Sequence, residues 1–208
     1  MSMPRRETVP CPKCGKDIEF TLWQSINNEI PTAMEDVISG KLFEVECKHC
    51  GLKTNVNYPI LVNDMEHSVM IYYINPDDKE ETVKALNSIN MFKMSRMRIV
   101  TDQASLREKV AIFHADLDDR VIELLKAVVI LQVKDQLAGK EVQRVYYIHD
   151  DKPRLEVIFC DGSAPGYIPV SMDLYNLVKE EYTKRGVFAK DDEMYIDNTW
   201  AFSILTSK

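Results

Sequence analysis

The sequence reads CPKCG at residues 11–15 and CKHCG at residues 47–51. In each stretch two residues separate a pair of cysteines, and a glycine follows directly. Such a pair supplies two sulfur ligands from one tight turn, and zinc prefers four thiolate or imidazole ligands in a tetrahedron. Gly15 and Gly51 permit the backbone conformation that a turn of this kind needs. The pattern therefore predicts one closed zinc site formed by Cys11, Cys14, Cys47 and Cys50.

Zinc is the favoured interpretation of the four cysteines, and three others stay open. A thioredoxin-like redox motif would place one pair at a strand–helix junction, whereas a strand is predicted after each pair. Disulfide pairing conflicts with a reducing compartment, and another metal ion is the third alternative. His49 is a weaker ligand candidate, because it lies between two cysteines and would strain the turn. Since four thiolates leave no position for water, the predicted Zn2+ is structural and not catalytic.

A spacer of 32 residues separates Cys14 from Cys47. The alternation of Ile18, Phe20 and Leu22 with polar residues predicts a strand after the first pair. A short helix that ends at Gly40 and a strand that leads into Cys47 follow. The entropy of closing a loop grows only logarithmically, so the additional length costs roughly 0.5 kcal/mol. The long spacer is therefore compatible with a single site.

Composition points to an ordinary globular protein. The chain has 208 residues, of which 45% are hydrophobic and 28% are charged, and its formal net charge is -7. An apolar run of the ~20 residues that span a bilayer is missing, and the N-terminus lacks the apolar core of a signal peptide. We therefore expect a cytoplasmic protein without a membrane partner. An acidic chain is also a poor general binder of phosphate backbones.

The remaining pattern predicts an α+β fold. Residues Val69–Ile74 form a continuous apolar run, typical of a strand buried on both faces, and Asp77–Leu86 read as a surface helix. Residues Val121–Val133 are apolar on most of their circumference, which is typical of a helix at the centre of a domain. After Gly139 we expect the order strand, strand, helix, strand, with 200–205 as the closing strand. The expected architecture is a zinc-ribbon-like β module packed on helices, followed by a smaller α+β C-terminal unit.

The two cysteine units resemble the bacterial CpXC domain, particularly through the segment GKLFEVECKHCG at residues 40–51. Further similar segments are SIN at 25–27, YP at 58–59 and EKVAIFHADLDDRVIELLK at 108–126. The second pair has Lys48 where the first has a proline, but neither residue is a ligand. The resemblance covers approximately Thr8 to Val133. It implies a zinc-ribbon-like domain, which we place at residues 8–136, and it implies no particular reaction. The break at Gly139 and the element pattern beyond it, and not the resemblance, predict a C-terminal α+β region at 140–208.

A local basic segment contrasts with the acidic chain. Residues 84–109 carry six basic and two acidic side chains, a net charge of +4. One interpretation is a surface for nucleic acid or an acidic partner, formed by Lys93, Arg96 and Arg98. The favoured interpretation is a strand with one basic solvated face and one methionine-rich buried face.

Three smaller groups of residues have a chemical and a structural interpretation, and the structural one is favoured for each. His149, Asp150 and Asp151 could bind a metal or transfer protons, but a polar hairpin turn is expected there. Asp118 and Asp119 open a helix, where acids cap the first turn, so they are weak candidates for a catalytic dyad. Cys160 follows an apolar run and is expected to be a small buried hydrophobe, since the sequence shows no base that would activate it as a nucleophile.

These observations favour a non-catalytic zinc-binding interaction module whose partner is another protein. Two alternatives remain: a nucleic-acid-binding protein that uses residues 84–109, and an enzyme with a site in the C-terminal half, around His149 and Asp151. Binding that weakens with salt would indicate the first alternative, and a deep pocket with convergent titratable groups would indicate the second.

Overall fold

The computed structural model describes residues 2–88, 96–137, 139–150 and 152–207, with the side chains of 87 and 88 excepted. The described chain is α+β, as the sequence predicts, with six α-helices and sheets of five, three and two strands. Its internal contacts group it into two compact units, Met1–Val110 and Ala111–Lys208. The predicted domain boundaries, 8–136 and 140–208, stay a prediction.

A mixed five-stranded sheet forms the framework of the first unit. Its strand order is β1-β2-β5-β6-β7, in which β1 with β2 and β5 with β6 are antiparallel, and the other two pairs are parallel. Alternate side chains of β5 and β6 are buried and half-buried, so β6 has one inward face and is not buried equally on both. The strand bounds are β1 Met3–Pro10, β2 Asp17–Asn27, β5 Ile60–Asp64, β6 Val69–Tyr73 and β7 Arg96–Val100.

A helix and a small second sheet lie between β2 and β5 in the chain. Helix α1, Ala33–Ser39, ends at Gly40, whose φ of 81° is the left-handed conformation that glycine adopts at helix C-termini. Strands β3, Glu44–Glu46, and β4, Lys53–Asn55, then pair antiparallel as a separate hairpin. The predicted order of strand, helix and strand between the cysteine pairs is confirmed.

Two further helices lie before and after β7 in the sequence. Helix α2, Lys79–Ser88, precedes it, and helix α3, Gln103–His114, follows it. Asp102 caps α3, because its carboxylate accepts hydrogen bonds from the backbone N–H and the hydroxyl of Ser105 at 2.8 and 2.9 Å. None of the described helices is long and apolar enough to cross a lipid bilayer.

The second unit combines an antiparallel three-stranded sheet, in the order β10-β9-β8, with three helices. Helix α4 is central to its apolar core, in which Val121, Ile122, Leu124 and Leu125 are fully buried, as its sequence predicts. The element bounds are α4 Asp119–Val133, β8 Val142–Ile148, β9 Arg154–Phe159, β10 Gly166–Pro169, α5 Met172–Lys184 and α6 Asn198–Thr206.

The predicted closing strand at 200–205 is wrong, because these residues lie in helix α6. The carboxylate of Asp197 accepts a hydrogen bond from the backbone N–H of Trp200 at 3.0 Å and caps the first turn. Helical geometry then places Trp200, Ala201, Ile204 and Leu205 on the side that packs on the core. Phe202 is exposed, because it lies off this side of the helix.

Candidate metal centre

Each cysteine pair occupies the tip of an antiparallel hairpin. In the first hairpin, β1 and β2 pair as far as Pro10 and Asp17, and the N–H of Cys11 donates to the carbonyl of Lys16 at 2.8 Å. In the second, β3 and β4 pair as far as Glu46 and Lys53, and Cys47 donates to Leu52 at the same distance. The two tips therefore have the same backbone construction, although 32 residues lie between them.

The glycine after each pair closes the turn. Gly15 donates its N–H to the carbonyl of Cys11 at 2.9 Å, and Gly51 donates to Cys47 at 2.8 Å. Their φ angles are +70° and +68°, in the left-handed region that costs other residues free energy. A Cβ atom at either position would meet no atom within 4 Å. The backbone angle, and not lack of space, therefore requires glycine.

The four sulfur atoms converge between the two hairpins. All of them lie within 4.8 Å of one another. Two separations between the hairpins are 3.6 Å, from Cys11 Sγ to Cys50 Sγ, and 3.7 Å, from Cys14 Sγ to Cys47 Sγ. A tetrahedral zinc ion with Zn–S bonds of ~2.3 Å requires S–S edges of roughly 3.8 Å. The cluster therefore has the donors and the dimensions to bind one metal ion.

The cluster is buried on one side and open on the other. Cys11 and Cys47 are buried together with Ile18 and Val45 in a small apolar cluster. Cys50 is half-buried, and Cys14 is exposed. The apolar side keeps water away from two sulfurs, while the exposed side gives a metal ion a route of entry.

The thiols influence one another's ionisation. Burial opposes ionisation of Cys11, but hydrogen bonds from the backbone N–H groups of Cys14 and Lys13 lower its pKa to about 6. The N–H of Leu52 favours the Cys50 thiolate, yet burial and the hydrogen bonds that Cys50 shares with the neighbouring sulfurs raise its pKa to about 11. One thiolate is thus stabilised while a neighbour keeps its proton.

The charged residues of the two tips surround the cluster without entering it. Lys13, Lys16, Lys48 and His49 are all exposed. The positive charges of Lys13, Lys16 and Lys48 can offset the two net negative charges that four thiolates and a divalent ion would carry. The sulfur cluster does not include His49, in line with the sequence-based preference for the cysteines.

A substitution at Gly51 tests the role of the turn. We expect Gly51→Ala to weaken zinc binding about tenfold, because alanine in the left-handed conformation costs roughly 1–2 kcal/mol. Gly51→Asn is the matched control, since asparagine tolerates this conformation better, and it should weaken binding less. Competition with a chromophoric zinc chelator measures both affinities. Equal affinities for the alanine variant and the parent protein would contradict the requirement.

The residues predicted to form a basic surface differ in their exposure to solvent. Arg98 has no exposed area, so it does not contribute a charge to the protein surface. Arg96 is half-buried, and Lys93 lies outside the described residues. Lys109 is also buried, whereas Lys84 and Arg107 are exposed. Burial of the Arg98 side chain on β7 removes one of the three residues proposed for this surface.

The candidates in the C-terminal half take part in local structure. His149 Nδ1 is 2.8 Å from the hydroxyl of Tyr147, and Asp150 forms an ion pair with Arg154 across the turn. Asp151 lies outside the described residues. Asp118 caps helix α4, as predicted, by accepting a hydrogen bond from the N–H of Arg120.

One residue, Cys160, differs from its sequence-based interpretation, and His67 has a structural role in a turn. Cys160 lies just beyond the end of β9 and is exposed, so the prediction of a small buried hydrophobe is wrong. His67, an isolated residue in the sequence, has its Nδ1 atom 2.6 Å from the buried carboxylate of Asp64. Asp64 also accepts hydrogen bonds from Asn28 and from the N–H of His67, so this pair closes the turn between β5 and β6.

Sequence reasoning missed strand β1, which delivers the first cysteine pair. Its sequence, MPRRETVP, contains two prolines and three charged residues, which hide the period of two. It also missed a groove of about 640 Å3 between the two hairpins, beside the cluster, to which Lys16, Asp17, Glu19, Glu46, Lys48 and His49 contribute. In the sequence, only the similarity of the two motifs, CPKCG and CKHCG, indicated that the residues lining this groove lie close together.

A comparison with protein families gives one match. The family described as CpXC protein matches residues 9–126, more than half of the chain, and this range contains all four cysteines. No curated protein and no solved structure matched the chain.

Proposed function

This chain belongs to the CpXC family, and from that premise we propose that it is a zinc-binding interaction module without catalytic activity at the metal. One Zn2+ ion would be bound by Cys11, Cys14, Cys47 and Cys50. The observation that carries the proposal is the convergence of four sulfurs from two equivalent hairpin tips, within 4.8 Å of one another.

The donor set supports zinc over the alternatives. Four thiolates suit zinc, whereas magnesium and calcium prefer oxygen ligands. Each CxxC pair lies at the tip of a hairpin, and not at the strand–helix junction typical of thioredoxin-like redox sites. A reducing compartment such as the cytoplasm would keep the thiols available for the metal.

The completeness of the donor set supports a structural role. A catalytic zinc ion keeps an open position for water or substrate, and four protein thiolates would leave none. The metal would then hold the two hairpins together, and the binding surface would consist of the residues that the hairpins present. We propose another protein as the partner, because burial of Arg98 weakens the case for a nucleic-acid surface on β7.

Metal analysis tests the identity and the role of the ion. We expect protein purified without chelators to contain one zinc ion per chain, measured by elemental analysis. Removal of the ion with a strong chelator should abolish the ordered structure of the two hairpins, because a site of this kind does not form without metal. Amide NMR spectra before and after chelation follow this change, and re-addition of zinc should restore the first spectrum. Metal-free protein with ordered hairpins would contradict the structural role.

A further inference from the structure

The two hairpins turn unpaired strand edges towards the groove between them. In antiparallel pairs, hydrogen-bonded and non-hydrogen-bonded residue pairs alternate. Because Cys11 donates to Lys16, the next pair, Pro10 and Asp17, is not hydrogen-bonded, and neither is the pair Thr8 and Glu19. The backbone N–H and C=O groups of Asp17 and Glu19 therefore point away from β1.

The second hairpin follows the same rule. Cys47 donates to Leu52, so the pair Glu46 and Lys53 is not hydrogen-bonded. The backbone polar groups of Glu46 consequently point away from β4. Both Glu46 and the Asp17–Glu19 segment of β2 line the groove.

Within the part of the chain that the structure describes, no strand occupies this space. Strand β2 pairs with β5 at Ser25–Asn27, and from Asp17 to Gln24 its second edge has no strand partner among the described residues. In the same described ranges, strand β3 pairs only with β4. Free N–H and C=O groups on a strand edge are a template for pairing with another extended chain.

The outer edge of β1 differs from this edge. The same alternation places the backbone of Pro4, Arg6, Thr8 and Pro10 on the side away from β2. Proline has no N–H and blunts a strand edge against pairing. Prolines therefore interrupt the outer edge of β1 at both of its ends, while the edge of β2 inside the groove carries no proline.

We propose that the groove binds an extended segment of a partner protein, which pairs as an additional strand with the free edge of β2 at Asp17–Glu19. This inference rests on the proposed function, because the metal holds the two hairpins on either side of the groove.

Charge defines the chemistry of the segment. The strand part of the groove presents the exposed carboxylates of Asp17, Glu19 and Glu46. The ammonium of the neighbouring Lys53 is bonded to Glu44 at 3.0 Å. A lysine or arginine of the partner, directed at these three carboxylates, complements this part of the groove. At the adjoining end, Lys16 and Lys48 of the hairpin tips favour an acidic residue or a terminal carboxylate of the partner. The partner is thus an extended peptide with a basic residue at its centre.

A proline substitution isolates the backbone contribution. Glu19→Pro removes the N–H that faces the groove but no N–H that β1 uses, so the β1–β2 hairpin should persist. Glu19→Gln keeps the N–H and removes the charge. Thr21→Pro makes the same backbone change on the same edge, beyond the residues that line the groove, and is the matched control.

The probe is a library of random nonapeptides displayed on phage and selected against the zinc-loaded full chain. We expect enrichment of peptides with a central lysine or arginine. For a selected peptide, fluorescence anisotropy should show about tenfold weaker binding to Glu19→Pro, the equivalent of the ~1.4 kcal/mol of lost hydrogen bonding. Binding to Glu19→Gln should weaken about two- to fivefold, and binding to Thr21→Pro should not change. In the parent protein, the peptide should slow amide hydrogen exchange at Asp17 and Glu19.

Several outcomes would overturn the inference. The selection could enrich no peptides, or it could enrich acidic ones. Glu19→Pro could bind the selected peptide as tightly as the parent protein does. The peptide could also leave amide exchange at Asp17 and Glu19 of the parent protein unchanged, a result that does not depend on whether a variant folds. Zinc content is measured on the same samples. Protein that contains one zinc ion and binds no peptide contradicts only the groove, whereas protein without zinc contradicts the proposed function as well.

Discussion

Cys47→Ser is expected to abolish zinc binding and to leave both hairpins disordered. Cys47 has no exposed area, and its sulfur lies 3.7 Å from that of Cys14 on the other hairpin. A serine hydroxyl is a poor zinc ligand. Structural zinc contributes an apparent ~10–16 kcal/mol in small zinc domains, and that binding free energy is also folding free energy. Elemental analysis should find no zinc bound to the variant, and amide NMR should show collapsed chemical-shift dispersion for residues 8–56.

Cys160→Ser is the matched control for this experiment. Cys160 is exposed, belongs to the second unit and is not part of the sulfur cluster. The control should keep one zinc ion and the parent spectrum. If Cys47→Ser also retained one zinc ion with full affinity, the four-cysteine site would be wrong.

Arg120→Met is expected to cost the second unit about 3 kcal/mol of stability. The Arg120 guanidinium is buried and makes two hydrogen bonds with the carboxylate of Asp118, at 2.7 and 3.0 Å. It also donates to the carbonyl of Lys190 at 2.9 Å and lies over the ring of Phe188. Removal of one partner of a buried ion pair costs ~3–5 kcal/mol, because the other charge stays buried without compensation. Urea denaturation followed by tryptophan fluorescence measures the loss.

The pH dependence of that loss tests the ion pair of Arg120 with Asp118, whose carboxylate accepts two of its hydrogen bonds; the carboxylate of Asp191 lies farther from the guanidinium, at 3.6 Å. Burial raises the pKa of Asp118, but the hydrogen bond and the charge of Arg120 outweigh it, so the net shift is downward. A lowered pKa in the folded state contributes stability above the unfolded value of ~3.9, and this contribution is lost as the pH falls through the folded value. The difference between the parent and Arg120→Met should therefore shrink below about pH 4.

Arg185→Met is a suitable control for the substitution itself. Arg185 is exposed and lies over the ring of Tyr182. Exposed cation–π contacts contribute ~0.5–1 kcal/mol, so the control should lose less than Arg120→Met at every pH. Equal losses for the two variants, or a loss for Arg120→Met that does not vary with pH, would contradict the role of the Asp118 pair.

The local features of this protein could be predicted from its sequence. Three patterns depend only on residues that are close in sequence, and the structure agrees with each of them. They are the period of two around Ile18, the glycine after each cysteine pair and the apolar character of 121–133. The four cysteines also belong to this class, because the ligands of each pair come from one turn. The meeting of the two pairs was predicted from ligand chemistry alone.

Features that depend on distant packing could not be predicted in this way. Arg98 is basic and lies in a strand, but the sequence does not show which face of that strand is covered, and the side chain is buried. Residues 200–205 were predicted to form a strand, whereas Asp197 and the core in contact with Trp200 favour a helix. The groove arises from the positions of two hairpins that are distant in sequence, so no local pattern contains it.

The two cysteine hairpins share no strand pairing among the described residues, yet each contributes two sulfurs to one cluster. A bound ion would thus act as a cross-link that closes a loop of 32 residues, and this cross-link would be reversible. Its contribution to stability rises with the logarithm of free metal concentration, by about 2.7 kcal/mol when the concentration is one hundred times the dissociation constant. The fraction of chains with an assembled groove would then follow the zinc supply of the cell. Partner binding and metal availability would be thermodynamically linked, each strengthening the other by the same factor.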